Sequence, residues 1–502
     1  MLLHRFSFIL VIVIVSCAPN NDKKAEALYV GHCARCHLAP DINSLPRDLW
    51  KNNVLPDMAA RMGIIDSSNN PYTGLSFKQQ EAIMKTGLYS GEATITAEDW
   101  RILEDYILEN APESIPAHPA PKSSKKLNQF KLRTINIDSS QGSQITFLDY
   151  NDQQELLYLG DLSGNLIQHD LIAKSSVIFG NFVTPVSDFF QKDNDSYVTT
   201  MGFLHPSELS SGKIFINTNN PDSNSLPGTL HRPVNSLITD LDQNGNNEII
   251  VSEFGNLTGQ LSLWIKNGDN YKKQVLLKQP GVIRSLAHDM DKDGKKDLIV
   301  LTSQGDESIT VLYQENNLKF RKEKLIQFSP VYGSSWFELV DYDNDGDMDI
   351  ISVQGDNADK TYISKPYHGL RIHINDGNNN FEEKYFYPLN GATRFVSGDF
   401  DQDGDLDMGI IATFPDYENY PNFSFVYLEN IDAQHFKFDP YTFDKPELGR
   451  WLLIDSGDVD KDGDQDIILG SFTFAFTPVP KQLSQNWNTN DTDVVILENL
   501  LK

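Results

Sequence analysis

The sequence predicts a multidomain protein in which a small all-α domain precedes an all-β, seven-bladed β-propeller. Capped amphipathic patterns predict helices before residue 112. Beyond residue 127, an acidic loop flanked by short apolar runs recurs five times, at intervals of 49, 52, 58 and 59 residues. These intervals are close to the length of one propeller blade. A chain of 502 residues also exceeds what a single core supports, unless part of it is such a repeat.

The N-terminal segment, residues 1–16, has the pattern of a signal peptide for export. Arg5 supplies positive charge, and the apolar run over 6–15 is too short to cross a bilayer. The run ends in Ile14-Val15-Ser16-Cys17, which resembles the lipobox of bacterial lipoproteins. The resemblance implies a lipid on Cys17 and a membrane anchor in the bacterial cell envelope, on the periplasmic or the surface face of the outer membrane. An ordinary secretory signal with an incidental cysteine is the alternative.

Charge and cysteine content narrow the classes of function. The chain has 70 acidic and 42 basic side chains, which gives a formal charge of −28 and disfavours nucleic acid as a partner. Of the three cysteines, Cys17 would carry lipid, whereas Cys33 and Cys36 belong to one motif. No cysteine remains for a structural disulfide, so packing and bound metal must hold an exported fold together.

The motif Cys33-Ala34-Arg35-Cys36-His37 has the spacing of a covalent haem attachment site. Two thiols at this spacing can reach both vinyl groups of one porphyrin, and the adjacent imidazole can then ligate the iron. A redox thiol pair would not need the histidine, and a zinc site would need a second cysteine pair. The motif therefore predicts one covalent haem c, held by Cys33, Cys36 and His37.

The haem domain is predicted to span residues 23–112, with helices over 23–32, 76–85 and 96–109. An N-terminal helix, the haem motif, a loop and a C-terminal helix resemble a small class I c-type cytochrome. The resemblance implies a methionine as the distal iron ligand. Met58 is the first choice because Pro56-Asp57-Met58 resembles the distal segment of that family, and Met62 and Met84 are the alternatives.

A linker rich in Pro, Ser and Lys, residues 113–126, precedes the propeller domain, residues 127–502. Two decayed repeats over 148–171 and 186–216 join the five acidic repeats to give seven blades. A strand over 127–137 is expected to pair with the last strand, 494–497, and so to close the ring. The five acidic repeats resemble the FG-GAP or VCBS repeats of integrin-like propellers.

Each acidic loop has the pattern Asp-x-Asp-x-Asp/Asn-Gly-x-x-Asp/Glu, which predicts a calcium site. Oxygen ligands at positions one, three, five and nine, with the backbone carbonyl at seven, suit Ca²⁺ better than a softer metal, and glycine at six permits the sharp turn. Up to five ions are expected. Their predicted ligands are Asp240, Asp242, Asn244 and Glu248; Asp289, Asp291, Asp293 and Asp297; Asp341, Asp343, Asp345 and Asp349; Asp399, Asp401, Asp403 and Asp407; and Asp458, Asp460, Asp462 and Asp466.

Five residues before these loops stand Asn235, Arg284, Trp336, Arg394 and Leu453. Of these, Arg284, Trp336 and Arg394 are expected at one mouth of the channel, where they could bind an anionic or glycan ligand or the haem edge. The alternative is that they pair with carboxylates and pack between blades.

The favoured function is electron transfer by an exported haem protein, with the propeller as a docking or ligand-binding scaffold for a redox protein or a quinol-chain component. No catalytic residue is assigned. A haem-linked oxidoreductase with its substrate site on the propeller, and a surface adhesion or glycan-binding module, are the alternatives.

Overall fold

The structure, a computed structural model, describes residues 21–501 apart from 68, 120–124, 139, 193, 220–223, 358–360 and 475–476. The predicted signal peptide and Cys17 lie outside the described residues. Within the described residues, no helix is both long and apolar enough to cross a membrane.

The N-terminal unit is helical. Its first helix, α1, crosses its last, α5, where the Lys24 ammonium lies 2.7 Å from the Asp99 carboxylate and the Tyr29 and Tyr106 rings are 6.3 Å apart. Fully buried side chains such as Leu103 form the core beneath this crossing. The helices are α1 (Asn21–Cys33), α2 (Arg47–Leu49), α3 (Leu55–Arg61), α4 (Phe77–Thr86) and α5 (Ala97–Asn110).

The predicted helix caps are present. Ser76 and Gln79 form a reciprocal capping box at the start of α4, and Gly87 ends the helix with a φ of 67°. Thr96 caps α5 by accepting a hydrogen bond from the backbone N–H of Asp99. A π-helical turn, Trp50–Val54, joins α2 to α3 without a break, and Pro56 lies in the first turn of α3. Such a wider turn eases the clash of a proline ring with the preceding carbonyl groups.

The remainder of the described chain forms seven sheets in chain order, which confirms the seven-bladed β-propeller. Two strands, β1 (Lys125–Lys126) and β2 (Phe130–Ile135), precede blade 1. The blades are β3 (Ile145–Asn151), β4 (Leu156–Asp161), β5 (Asn165–Asp170) and β6 (Ser175–Asn181); β7 (Val186–Lys192), β8 (Asp195–Thr200) and β9 (Lys213–Ile216); β10 (Pro233–Thr239), β11 (Glu248–Glu253), β12 (Gln260–Asn267) and β13 (Asn270–Leu277); β14 (Val282–His288), β15 (Asp297–Thr302), β16 (Ser308–Gln314) and β17 (Phe320–Gln327); β18 (Ser334–Val340), β19 (Asp349–Gln354), β20 (Gly369–Asn375) and β21 (Phe381–Pro388); β22 (Ala392–Gly398), β23 (Asp407–Ala412), β24 (Phe425–Asp432) and β25 (Lys437–Thr442); and β26 (Trp451–Gly457), β27 (Asp466–Ser471) and β28 (Val494–Asn499).

The ring closes as the sequence predicts. Strand β2 pairs antiparallel with β28 and becomes the outer strand of blade 7. Two elements were not predicted. Strand β1 adds to blade 6 in parallel with β25, and helix α6 (Lys481–Asn490) lies between β27 and β28. Strand β2, near the start of the propeller, and β28, at its end, therefore lie in the same sheet, which holds the two ends of the propeller together.

Burial explains why the second strands are continuously apolar. Every residue of β15, β19, β23 and β27 is buried, since neighbouring strands cover both edges and neighbouring blades cover both faces. Such strands favour runs of Val, Ile and Leu over an alternating pattern. Each of the seven inner strands also shifts register at its second residue, which gives all blades the same bulge beside the channel.

Within the described residues, neither of the two decayed repeats brings metal-ligating side chains together. Asp149 lies on the inner strand β3, and Asp188 lies on the inner strand β7, where it accepts a hydrogen bond from the backbone N–H of Ser236 at 2.6 Å. Blade 2 has only three strands among the described residues, and the irregular segment 224–230 bonds to the edge of β9 instead. Both repeats still form blades of the ring.

The helical unit packs against the face of the propeller opposite the acidic loops. On blade 5, the Tyr367 hydroxyl donates to the Ser44 carbonyl at 3.0 Å, and Val331 and Ile363 pack against the helical core. Val331 lies between β17 and β18, and Ile363 and Tyr367 lie between β19 and β20, at the strand ends away from the acidic loops. Burial raises the pKa of Tyr89, and the charge of the Glu208 carboxylate of blade 2 adds a smaller effect in the same direction.

Candidate haem and metal sites

The haem motif lies at the end of the first helix. Cys33 is the last residue of α1 and Cys36 is exposed in the following turn, and both thiols are free. The Nδ1 atom of His37 lies 2.8 Å from the Leu38 carbonyl oxygen. A proton on Nδ1 satisfies this contact and leaves the lone pair of Nε2 for a metal. The donor set of two thiols and an oriented imidazole therefore fits a c-type haem.

The surface of the helical unit also suits a large apolar cofactor. Several large apolar side chains of this small domain are exposed to solvent, and a porphyrin ring is an apolar plane that needs such a surface. The exposed fractions of these side chains are 57% for Val30, 44% for Leu38, 40% for Ile65, 82% for Phe77 and 59% for Met84.

The three candidate distal ligands have different surroundings. Met58 on α3 and Met62 at its end are partly buried against the helical core, and the backbone N–H of Met62 donates to the Met58 carbonyl. Met84 is exposed on α4. Its neighbour Ile83 is the buried residue of that helix.

The five acidic loops share one backbone conformation. Glycine at position six has φ between 85° and 99° in every loop, as the sequence predicts. The fourth residue is also left-handed in every loop, although none is glycine, with φ between 58° and 63°. A left-handed non-glycine residue costs roughly 1–2 kcal/mol, so five such residues indicate a constrained loop. These residues are Gln243, Lys292, Asn344, Gln402 and Lys461.

The loops bring carboxylates together at one point each. In every loop, the three grouped residues each offer an oxygen within 4.8 Å of the others. In four loops the close oxygens come from positions one, three and nine, which are Asp240, Asp242 and Glu248; Asp289, Asp291 and Asp297; Asp341, Asp343 and Asp349; and Asp458, Asp460 and Asp466. In the remaining loop, the fourth along the chain, the close oxygens come from positions one, three and five, which are Asp399, Asp401 and Asp403.

The remaining predicted ligands lie beside these groups. Asp407 is turned toward Tyr427, whose hydroxyl donates to it at 2.6 Å. Asp293 is paired with the Lys295 ammonium at 2.5 Å, and Asn244 accepts the backbone N–H of Asn246. Asp345 and Asp462 likewise accept backbone N–H groups two residues further on. The side chains at position five therefore support the turn.

Unpaired oxygens within the loops fit a cation. Asp464, at position seven of the last loop, is only 4% exposed, yet neither of its carboxylate oxygens has a hydrogen-bond partner among the described residues. Burial raises the pKa of Asp464 to about 6, together with the negative charge of the neighbouring carboxylates. Among these carboxylates, Asp462 has the largest effect. A bound divalent ion would compensate this concentration of negative charge.

The residues predicted at the channel mouth pack between blades. The Arg284 guanidinium carbon lies 3.6 Å from the centre of the Trp336 ring, and the Arg394 guanidinium carbon lies 4.5 Å from it. Burial lowers the pKa of each arginine to about 10, and the Glu338 and Asp188 carboxylates oppose that change at Arg284. The two guanidinium groups therefore stack on the Trp336 ring, and the buried Nη1 atom of Arg284 has no hydrogen-bond partner among the described residues.

The other two residues that precede an acidic loop by five positions, and two nearby arginines, also make contacts within the propeller. Leu453 is buried, and Asn235 donates to Asp188 at 3.2 Å. Arg232 donates to the backbone carbonyl of Gly255, and the fully buried Arg450 donates to the backbone carbonyl of Thr413.

Comparison with known proteins agrees with the repeat pattern. Residues 289–352 match the model of the FG-GAP-like repeat, a stretch that runs from the second acidic loop into β19. No curated protein sequence matches the chain.

Several solved structures resemble much of the chain at low sequence identity. The N-terminal domain of Nup159 is 11% identical and covers 76% of this chain and 99% of its own, with a TM-score of 0.40. The WD40 domain of SCAP from fission yeast is 10% identical and covers 76% of this chain and 90% of its own, with a TM-score of 0.37. The computationally designed Ika8 protein is 10% identical and covers 73% of this chain and all of its own, with a TM-score of 0.40.

Proposed function

We propose that the chain is an exported haem c protein that transfers electrons, and that its calcium-stabilised propeller is a docking or ligand-binding scaffold. The observation that carries the proposal is the C-x-x-C-H motif, in which the Leu38 carbonyl orients His37 and leaves Nε2 for iron. The thiols of Cys33 and Cys36 would hold the porphyrin, and Met58 is the first candidate for the distal ligand, before Met62 and Met84. The haem would supply one-electron redox chemistry when bound.

Calcium is proposed at the five acidic loops. The grouped carboxylates, the shared loop backbone and the unpaired oxygens of Asp464 support this assignment. Oxygen ligands in a flexible loop suit Ca²⁺, and the ions would stabilise an exported propeller whose sequence, residues 127–502, contains no cysteine for a disulfide.

The scaffold role follows from the position of the helical unit. It packs on blade 5, on the face opposite the acidic loops, so the face that carries the loops and the outer surface remain for a redox protein or a quinol-chain component. A lipid on Cys17 would keep the protein at the membrane of the bacterial cell envelope, on the periplasmic or the surface face. A haem-linked oxidoreductase is less well supported, because the charged residues beside the channel are engaged in packing.

The test is covalent haem attachment in the exported full-length protein. On a denaturing gel stained for haem peroxidase activity, the wild-type band should stain, and Cys33→Ala with Cys36→Ala should abolish the stain. His37→Ala should weaken or shift the absorption spectrum while the propeller still folds. Absence of covalent haem from the wild type, after expression with a haem-attachment system, would refute the proposed cofactor. Reduction of the haem protein by a quinol or a small redox protein would then identify the class of donor.

A further inference from the structure

A set of buried side-chain amides links each acidic loop to the loop before it. The third strand of blades 4, 5, 6 and 7 ends in or near an amide residue, namely Gln314, Asn375, Asn430 and Asn499. All four are at most 5% exposed. In each case the backbone N–H donates to the carboxylate at position nine of the same blade, at 2.7–2.8 Å.

Side-chain amides at these strand ends reach the preceding blade. The Gln314 amide donates to the Leu241 carbonyl at 2.9 Å, and the Asn499 amide donates to the Phe400 carbonyl at 2.6 Å. Both carbonyls belong to position two of the preceding acidic loop. Blade 5 makes the same contact through Asn379, which donates to the Met290 carbonyl at 2.8 Å. Blade 6 makes a longer contact, in which the Asn430 amide lies 3.4 Å from the Tyr342 hydroxyl.

Blade 3, which lacks the buried amide, supports a link between neighbouring acidic loops. Blade 3 has an acidic loop, but the blade before it has none among the described residues. At the position that corresponds to Gln314, blade 3 carries Lys266, an exposed residue, in place of a buried amide. The amide therefore occurs only in blades that have a preceding acidic loop to contact.

A second set of contacts runs in the opposite direction, from one loop to the next. The Gln243 amide, at position four of its loop, donates to the Gly294 carbonyl of the next loop at 2.9 Å. The Gln402 amide donates to the Gly463 carbonyl of the next loop at 3.2 Å. The first and second acidic loops, and the fourth and fifth, are thus tied at two points, close to the residues that would hold the ions.

We propose that these amides position neighbouring calcium loops and couple them, so that blades 3 to 7 bind their ions cooperatively. The inference rests on the proposed calcium sites. A cation that orders the carboxylate at position nine also orders the end of the third strand, because a backbone N–H there donates to that carboxylate. A side-chain amide at the same strand end then orders the acidic loop of the preceding blade. Coupling carried by two discrete, contiguous hydrogen bonds of this kind commonly changes affinity fivefold or more.

The variant Gln314→Met separates coupling from ligand support. Methionine has nearly the same length and can pack in the same space, but it cannot donate to the Leu241 carbonyl or to the Lys296 carbonyl of its own loop, which the Gln314 amide also contacts at 2.8 Å. The backbone N–H of residue 314 still donates to Asp297. Lys266→Met is the matched control, because it occupies the equivalent position in the blade whose predecessor lacks an acidic loop.

The experiment titrates Ca²⁺ into the full-length protein, stripped with a chelator, and follows binding by isothermal calorimetry and by thermal melting. The wild type should fill its sites with a Hill coefficient well above one. Gln314→Met should bind the same number of ions with a lower Hill coefficient and severalfold weaker binding in the early steps, whereas Lys266→Met should match the wild type. Calcium binding with a Hill coefficient of one in all three proteins would overturn the coupling and leave the calcium sites intact. No calcium binding by the wild type would overturn the calcium sites themselves.

Discussion

Burial of carboxylates on the inner strands makes single residues sensitive to pH. Asp455 lies on β26 and accepts the Tyr150 backbone N–H at 2.7 Å, and burial raises its pKa to about 7. A carboxylate whose pKa is raised by folding takes up a proton as the protein folds. Its contribution to stability is therefore favourable at low pH and is lost as pH rises from about 4 to about 7.

Substituting Asp455→Asn should remove this pH dependence. The amide oxygen can still accept the Tyr150 N–H, but no charge forms at high pH. Relative to the wild type, the variant should gain up to about 2 kcal/mol of stability between pH 5 and pH 8. Urea unfolding at both pH values measures the gain. Asp269→Asn, in an exposed turn, is the control and should shift nothing; equal behaviour of the two variants would contradict the prediction.

At the scale of single elements, ring closure depends on the N-terminal strand of the propeller. Phe130 on β2 is 7% exposed, and its ring lies 6.4 Å from Phe400 and 5.4 Å from Tyr427. Phe130→Ala should lower the free energy of unfolding by about 3–4 kcal/mol, because it leaves a cavity where the first and last strands meet. Ile172→Ala, at a side chain that is 72% exposed, should change it by less than about 0.5 kcal/mol. Denaturant unfolding distinguishes the two, and a similar small effect for both would disprove the role of β2.

The acidic loops should make the propeller dependent on calcium. Removal of Ca²⁺ leaves three or more carboxylates within 4.8 Å of one another, and their repulsion must weaken the folded state. We expect chelation to lower the melting temperature by several degrees or more, and excess Ca²⁺ but not Na⁺ of equal ionic strength to restore it. An unchanged melting temperature after exhaustive chelation would rule out this stabilising role.

The sequence predicts those elements whose structure depends on residues close together in the chain. The capping box at Ser76, the glycines of the acidic loops and the seven-fold repeat follow from local patterns, and the structure agrees with each. The pairing of β1 with β25 and the position of Trp336 between two arginines depend on contacts more than 50 residues apart in sequence. No local spacing encodes them, and the same holds for the amide of Gln314, whose partner Leu241 belongs to another blade.

At the scale of the whole molecule, the helical unit is docked on the propeller by a small interface. Ile363 and Val331 of blade 5 pack against the helical core, and Tyr367 adds one hydrogen bond. Ile363→Asp should release the helical unit, because a carboxylate cannot be buried there without a partner. Small-angle X-ray scattering should then show a larger radius of gyration, with Ile431→Asp at an exposed position as the control. An unchanged radius would contradict docking through this contact.

The proposed arrangement places a redox centre and an ion-stabilised scaffold in one exported chain. Its formal charge of −28 concentrates partly in the acidic loops, so bound calcium would reduce the repulsion between blades as well as within loops. Electron transfer would occur at the helical unit, and the propeller would set where that unit is held.

Intact-mass spectrometry of the purified, exported protein tests the central claim most directly, under native and then denaturing conditions. The account predicts one haem that remains attached after denaturation, together with up to five calcium ions that are present in the native spectrum and lost on denaturation. A native mass equal to that of the processed polypeptide with its lipid alone, without haem or calcium, would contradict the account.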